Sequence, residues 1–252
     1  MTAPPPARTI DEVVAYLDDV IEDCRRQESR MGYFAALYRR VTVEVKGRMD
    51  KGSFKDAERM ESLDVLFANR YLDAYHRHRR GETPTRAWAY SFAAADDPEP
   101  VVLQHLLMGM NAHIHLDLGI AAAEVVRRHR LRGFKHDFDL INAVLFDLVD
   151  EIQTEVNHTS GMMTTLDWIT GRLDEYVLGF ALAQARRRAW RRAASLMGVP
   201  TTFHGSLVDR FDRHTEGLAQ RIHLLPSPVN ILLNPLREVE QEPVRAIIDR
   251  LT

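Results

Sequence analysis

Residues 101–126 read VVLQHLLMGMNAHIHLDLGIAAAEVV. At 100° per residue this stretch is apolar on nearly every side, which marks a helix surrounded by other helices rather than one lying on a surface. It predicts the central element, about 99–130, of an all-α, single-domain bundle. The neighbouring elements follow from punctuation. No proline occurs between Pro100 and Pro200, and the only breaks fall near Gly133 and Ser160-Gly161. That spacing predicts three long helices over about 99–130, 135–158 and 164–197. Towards the N-terminus, Thr9-x-x-Glu12 reads as a capping box that opens a helix to about Arg26. Further helical patterns run from Tyr33 to Lys46 and from about Asp56 to Arg80, stopped by Lys51-Gly52-Ser53 and by Gly81. Thr83-Pro84 and Asp97-Pro98 each read as an N-cap followed by proline at the first helical position. Helices at about 203–224 and 236–250, joined by an ordered loop over 224–228, bring the expected total to about eight. No run alternates apolar and polar residues as a half-buried strand would. Residues 1–8 read as a disordered or extended lead-in and 9–252 as one helical domain.

Composition narrows the function classes. The chain has 252 residues, 45% hydrophobic and 27% charged, with a formal net charge of −3. A chain of this length buries a sizeable core without staples, and its charge does not suit a general nucleic-acid binder. The one cysteine, Cys24, excludes an internal disulfide framework. No apolar run approaches the ~18 residues of a membrane span, and the start MTAPPPART lacks the apolar core of a signal peptide. The expectation is a cytoplasmic protein with a small-molecule substrate and neither nucleic acid nor membrane as partner. Aromatic and Arg-rich outer faces permit a homodimer. The basic run Arg186 to Arg192 reads as a solvated face, with docking of an acidic carrier protein as its alternative.

The candidate site lies on the central helix. His113 and Asp117, four residues apart, share a face with Leu103, Leu106, Met110 and Ile120, while Asn111 and His115 project from other sides. An unpaired carboxylate in a core costs several kcal/mol, so this pair needs partners: each other, a substrate or a shared metal ion. Asp64 sits on a stripe of Met60, Phe67, Tyr71 and Tyr75, with His78 one turn later, and reads as an inward ligand or general base. An inward arginine is the bland alternative for it. Asn142 shares a face with Phe138, Leu145 and Val149, and His214 lies with Leu207, Phe211 and Leu218. Arg187 follows Ile169, Leu173, Tyr176, Phe180 and Ala183 on an inner stripe beside Trp190, where a guanidinium either clamps a substrate carboxylate or phosphate or neutralises Asp64 or Asp117 without a ligand. Glu155-Val156-Asn157-His158 has the spacing of a di-iron ligand pair but falls on a solvated face. Phosphate loops, dinucleotide turns, nucleophile elbows and Cys-x-x-Cys pairs are absent from the sequence.

The string GMNAHIHLDL at 109–118 resembles a motif of a bacterial all-helical family of unknown function, and LDVLFANRY at 63–71 and ARRRAW at 185–190 resemble its other landmarks. The likeness spans about 30 to 200. It implies no activity, but its landmarks contain Asp64, His113, Asp117 and Arg187. His115 departs from the family pattern, where that position is usually Asn. A looser likeness, to all-α zinc phosphoesterases with His-x-x-x-Asp on a helix, lacks the further ligands and the N-terminal Trp of those enzymes.

The leading expectation is therefore a metal-dependent enzyme with His113, Asp117, Asp64 and His214 around a divalent ion, iron favoured over manganese or zinc. Tyr71, Met110, Asn142, Arg187 and Trp190 would bind a small, partly apolar substrate with an acidic group, for an oxidase or oxygenase. The alternatives are metal-free acid–base catalysis (isomerase, cyclase or lyase) by His113 with Asp64 or Asp117, Arg187 and Asn111, a zinc-dependent hydrolase, and a non-enzymatic helical binding module.

Overall fold

The computed structural model describes residues 4–128, 134–142, 175–225, 230, 233–234, 237, 240 and 242–252, with backbone alone at 175–181. The described residues form an all-α bundle without strands. The elements are α1 (Ile10–Gln27), α2 (Met31–Asp50), α3 (Ala57–Arg79), α4 (Arg86–Ala94) and α5 (Val102–Met110). A π-helical segment (Asn111–Asp117) leads into α6 (Leu118–Arg128). Then come α7 (134–142), α8 (Glu175–Met197), a 3₁₀ turn (Thr201–Phe203), α9 (His204–His223) and α10 (Val244–Leu251). The expected helical stretches 143–158 and 164–174, the Glu155–His158 pair, and most of the 224–228 loop lie outside the described residues. No helix among the described residues is long and apolar enough to cross a membrane.

Side chains from the first residue outward set the helix starts. Thr9 accepts the Glu12 N–H at 3.2 Å, and the Glu12 carboxylate reaches back to the Arg8 N–H at 2.6 Å. Asp56 caps α3 by accepting from Arg59 N–H at 3.0 Å. The two Pro signals start no helix. Pro100 pushes Glu99 towards extended backbone, so the chain turns helical only at Val102, where the Gln104 side chain accepts the Val101 N–H at 3.1 Å. Asp97 serves His223 at 2.9 Å and the Glu99 N–H at 3.0 Å. After Pro84 the helix begins at Arg86, because Asp212 of α9 accepts both the Arg86 and Ala87 N–H groups, at 2.8 and 2.9 Å. That cap comes from the far side of the fold.

The central helix is present but not uniformly α. From Asn111 to Asp117 its turns widen, and the Leu118 N–H bonds to the His113 carbonyl, five residues back. A π turn shifts backbone carbonyls out of α register and recurs at functional sites. Neighbours take up the displaced groups. Arg192 of α8 donates to the His115 carbonyl and, at 3.1 Å, to Thr215 Oγ1, while the Asn111 side chain donates to the Thr215 carbonyl at 2.8 Å. Glycines flank the segment where other helices come closest. A Cβ on Gly109 would stand 2.6 Å from the Phe34 ring of α2, and one on Gly119 would stand 2.9 Å from the Ala189 carbonyl oxygen of α8.

Among the described residues two large apolar cores result. The first gathers α1, α2, α3, α4 and α10 around Leu17, Tyr71, Trp88 and Ile248, and the second gathers α3, α6, α7 and α8 around Met60, Leu118, Phe138 and Leu196. The π segment serves both, giving Ala112 and Leu116 to the first and Ile114 to the second.

Candidate functional site

Asp117 is fully enclosed and held on both oxygens. Arg70 Nε of α3 donates to Oδ1 at 2.9 Å, and Trp88 Nε1 of α4 donates to Oδ2 at 2.7 Å. Burial raises its pKa, but the Arg70 charge, with His113 and Trp88 helping, carries it below the usual carboxylate value. It is thus an ionised anchor that ties three helical elements together. His113 Nδ1 stands 3.7 Å from Asp117 Oδ2, too far for a hydrogen bond.

His113 instead sits among aromatic rings. It lies flat on Phe67, with ring centroids 3.5 Å apart and 10° between planes, and edge-on to Tyr38 at 4.3 Å and Phe34 at 5.5 Å. Neither ring nitrogen has a hydrogen-bond partner. Burial lowers its pKa against the pull of Asp117, so the imidazole is neutral at physiological pH.

Asp64 and His113 open onto one cavity of about 80 Å³. Its wall includes Phe34, Leu37, Tyr38, Phe67, Met110 and Arg186. Asp64 Oδ2 is sealed from solvent and has no partner, although the residue keeps some accessible surface, as expected on a cavity wall. Burial, with the Glu61 charge adding, pushes its carboxyl up to about 7. The Tyr38 hydroxyl is likewise buried without a partner. Burial first, then the Asp64 and Asp117 charges, drive its pKa well up, so it remains a protonated donor. An acid poised near neutrality, a neutral imidazole and a phenol donor therefore share one mostly apolar space.

The other expected site residues divide. Met110 lines the cavity, and Tyr71 lies behind it, fully buried against Phe34, Tyr38 and Trp88. Asn111 faces Thr215 rather than the cavity. Asn142 on α7 carries an unpartnered Oδ1 beside Ile141, which does line the wall. Trp190 packs on Phe134 and Phe138, away from His113. His78 lies against Phe92 at 5.0 Å. His115 is enclosed near Arg192, Arg188 and His214, and burial pushes it down to about 4.

Two placements need correction. Arg187 is exposed, and Arg186 takes the inward position at 4% exposure. The buried face of α8 is set by Leu182, Ala185, Ala189, Ala193 and Leu196, the three alanines letting α6 approach, and Arg186 falls on that face. His214 is also exposed, because Asp212 and Thr215 occupy the buried side of α9. The basic run is divided in consequence: Arg186 and Arg192 turn inward, whereas Arg187, Arg188 and Arg191 are exposed. Among the described residues no three His, Cys, Asp or Glu side chains converge to hold a metal ion.

Sequence reasoning passed over Tyr38, Trp88, Arg70 and Arg186. Tyr38 lies inside the helical pattern from Tyr33 to Lys46, where a tyrosine reads as a packing residue as readily as a donor. Arg70 stands inside a quoted landmark, and its signal was an inward arginine, though it meets Asp117 rather than Asp64.

With this geometry in place, a match to a family model becomes informative. The model of a family of unknown function, DUF5995, matches residues 10–224. The chain belongs to that family. No curated protein and no solved structure matches the chain. The stretch shared with DUF5995 contains every residue of the cavity wall named above and ends before α10.

Proposed function

We propose that this DUF5995 protein is an acid–base enzyme that moves a proton on a small, largely apolar carbonyl compound, as an isomerase or a lyase. The observation that carries this reading is the unpartnered Asp64 Oδ2 of a residue on the wall of the cavity that His113 and Tyr38 also line. A general base works best with a pKa near the operating pH, and Asp64 stands at about 7. In the reaction its carboxylate accepts a proton from the carbon next to the carbonyl. The electron pair moves onto the carbonyl oxygen, which the Tyr38 hydroxyl stabilises by donating a hydrogen bond. Where the substrate has a double bond beyond that carbon, return of the proton at the far end of the conjugated system completes an isomerisation. Where the next carbon bears a leaving group, its departure as the electron pair returns completes an elimination. Neutral His113, fixed by Phe67, holds or relays that proton.

Incubation of small apolar ketones and acids with the protein in D₂O, followed by proton NMR, tests this. The wild type exchanges α-protons of at least one compound, and Asp64→Asn does not. Equal exchange by both proteins rules the reading out.

A second reading rests on the same unpartnered donors, the Asp64 oxygen and the His113 nitrogens. It gives the cavity a divalent ion, iron before manganese or zinc, and the chemistry of an oxidase or oxygenase. Asp117 is the weak member of that ligand set, since Arg70 and Trp88 hold its oxygens. Elemental analysis of protein purified without chelators decides: near-stoichiometric iron, lost in His113→Ala, would replace the first reading with this one.

A further inference from the structure

Arg186 stands on the cavity wall without a counter-ion. Its guanidinium lies over the Phe138 ring at 4.5 Å and donates through Nη2 to the Phe138 carbonyl at 2.5 Å. Its Nε is buried and has no partner. No ion pair to Arg186 occurs among the described residues. The carboxylate whose charge reaches it, Asp139, is engaged with Lys135 at the surface. Asp64 does not fill the gap, although it lines the same cavity. Its Oδ2 and the Arg186 Nε are each without a partner, and no ion pair joins the two residues among the described residues. The cavity thus has a cationic place and a separate proton-accepting place, with apolar wall such as Leu37, Phe67 and Ile141 around them.

Burying a guanidinium with nothing to balance it is costly, and the cost is recovered when an anion with hydrogen-bonding oxygens arrives. Burial already weakens the hold of Arg186 on its proton, bringing its pKa down to about 10. The volume of about 80 Å³ corresponds to roughly half a dozen water-sized positions, room for a short carbon body but not for a nucleotide. We infer that the ligand is a small monocarboxylic acid with an apolar body, its carboxylate held against Arg186 and its far end, which carries the reacting carbonyl, reaching Asp64. The unpartnered Nε with a neighbouring N–H of the guanidinium matches the two oxygens of a carboxylate, and the mostly apolar wall around it supplies few of the further donors that a phosphate dianion calls for. The Asp64 end of this assignment rests on the acid–base reading, and the Arg186 end does not.

Protein-observed NMR titrations with butanoate, hexanoate and phenylacetate, each beside its primary amide, test it. At least one acid binds the wild type ten-fold or more tightly than its amide. Arg186→Gln brings acid and amide to within about two-fold, and Arg186→Lys keeps part of the preference. Equal binding of acid and amide by the wild type, no binding of any of the three acids, or a preference that survives Arg186→Gln would overturn the inference. The wild-type comparison stands even where a variant does not fold. Acid binding without proton exchange in D₂O leaves the anion subsite in place and removes the acid–base reading. Exchange on neutral ketones with no preference for acids does the reverse.

Discussion

At the scale of the single residue, Asp64 and Asp117 show how environment decides what a carboxylate does. Both are enclosed in the same fold. Asp117 meets a guanidinium and an indole N–H and is held ionised. Asp64 meets neither, and burial pushes it from an ordinary 3.8 to about 7. This difference predicts a pH dependence of stability. Between those two values the folded chain keeps a proton on Asp64 that the unfolded chain has lost. Asp64 therefore supports the fold at low pH and loses that support as pH rises through 7, by up to about 4 kcal/mol at the alkaline end. His105 and His115, both pushed down to about 4 by burial, work in the opposite sense and gain as pH rises towards 6.5. The raw pH profile mixes these contributions, so the difference between proteins is the quantity to read. Urea unfolding at pH 5 and pH 8.5 should show Asp64→Asn gaining on the wild type by a few kcal/mol at the higher pH. A gap that does not change with pH would mean that Asp64 ionises normally in the fold.

At the scale of the element, the informative comparison is between the ideal helix and the two helices that depart from its simple reading. The face shared by His113 and Asp117 was legible, because two positions four apart stay close in an α or a π turn. The widening at Asn111–Asp117 was not legible, since no residue there forbids an α-helix and the compensation comes from Arg192 and Thr215 elsewhere in the chain. In α8 the inner face was read from bulky residues. From Leu182 onward the helix packs through Ala185, Ala189 and Ala193, whose apolar signal is weak, and the inward arginine is therefore Arg186. The starts of α4 and α5 were misplaced for a related reason, as Asp212 and Pro100 decide them and neither is visible in a local cap pattern. Close packing through small residues has a measurable consequence. Gly119→Ala puts a Cβ 2.9 Å from the Ala189 carbonyl, which is backbone and cannot swing aside. It should cost about 1–3 kcal/mol through overpacking, more than the gain from alanine's helix propensity. Gly217→Ala in α9 meets nothing within 4 Å and should stabilise by about 0.5–1 kcal/mol. Thermal melts of the two variants that moved in the same direction would contradict this account of the α6–α8 contact.

At the scale of the whole molecule, the question is whether two cores behave as one. Met110, Ile120 and Phe211 pack against both, and the π segment contributes to each, so a single cooperative transition is expected. The sharpest probe lies far from the cavity, in α10, which falls beyond the residues shared with DUF5995. Ile248 of α10 is fully buried in the first core. It occupies space that Gly32 leaves open, for a Cβ on Gly32 would stand 2.5 Å from Ile248 Cδ1. Ile248→Ala removes that packing and should cost about 2–5 kcal/mol. In a chain of this size that lowers the melting temperature by roughly 5–15 °C. Calorimetry should show one transition in wild type and variant alike, because the helices lining the cavity cannot keep their arrangement once the first core opens. The preference for acid over amide at Arg186 should survive below the melting temperature, since Ile248 does not line the cavity. Two resolved transitions, the upper one unmoved by the substitution, would instead make α10 and the first core a separate unit, with the second core folding without them.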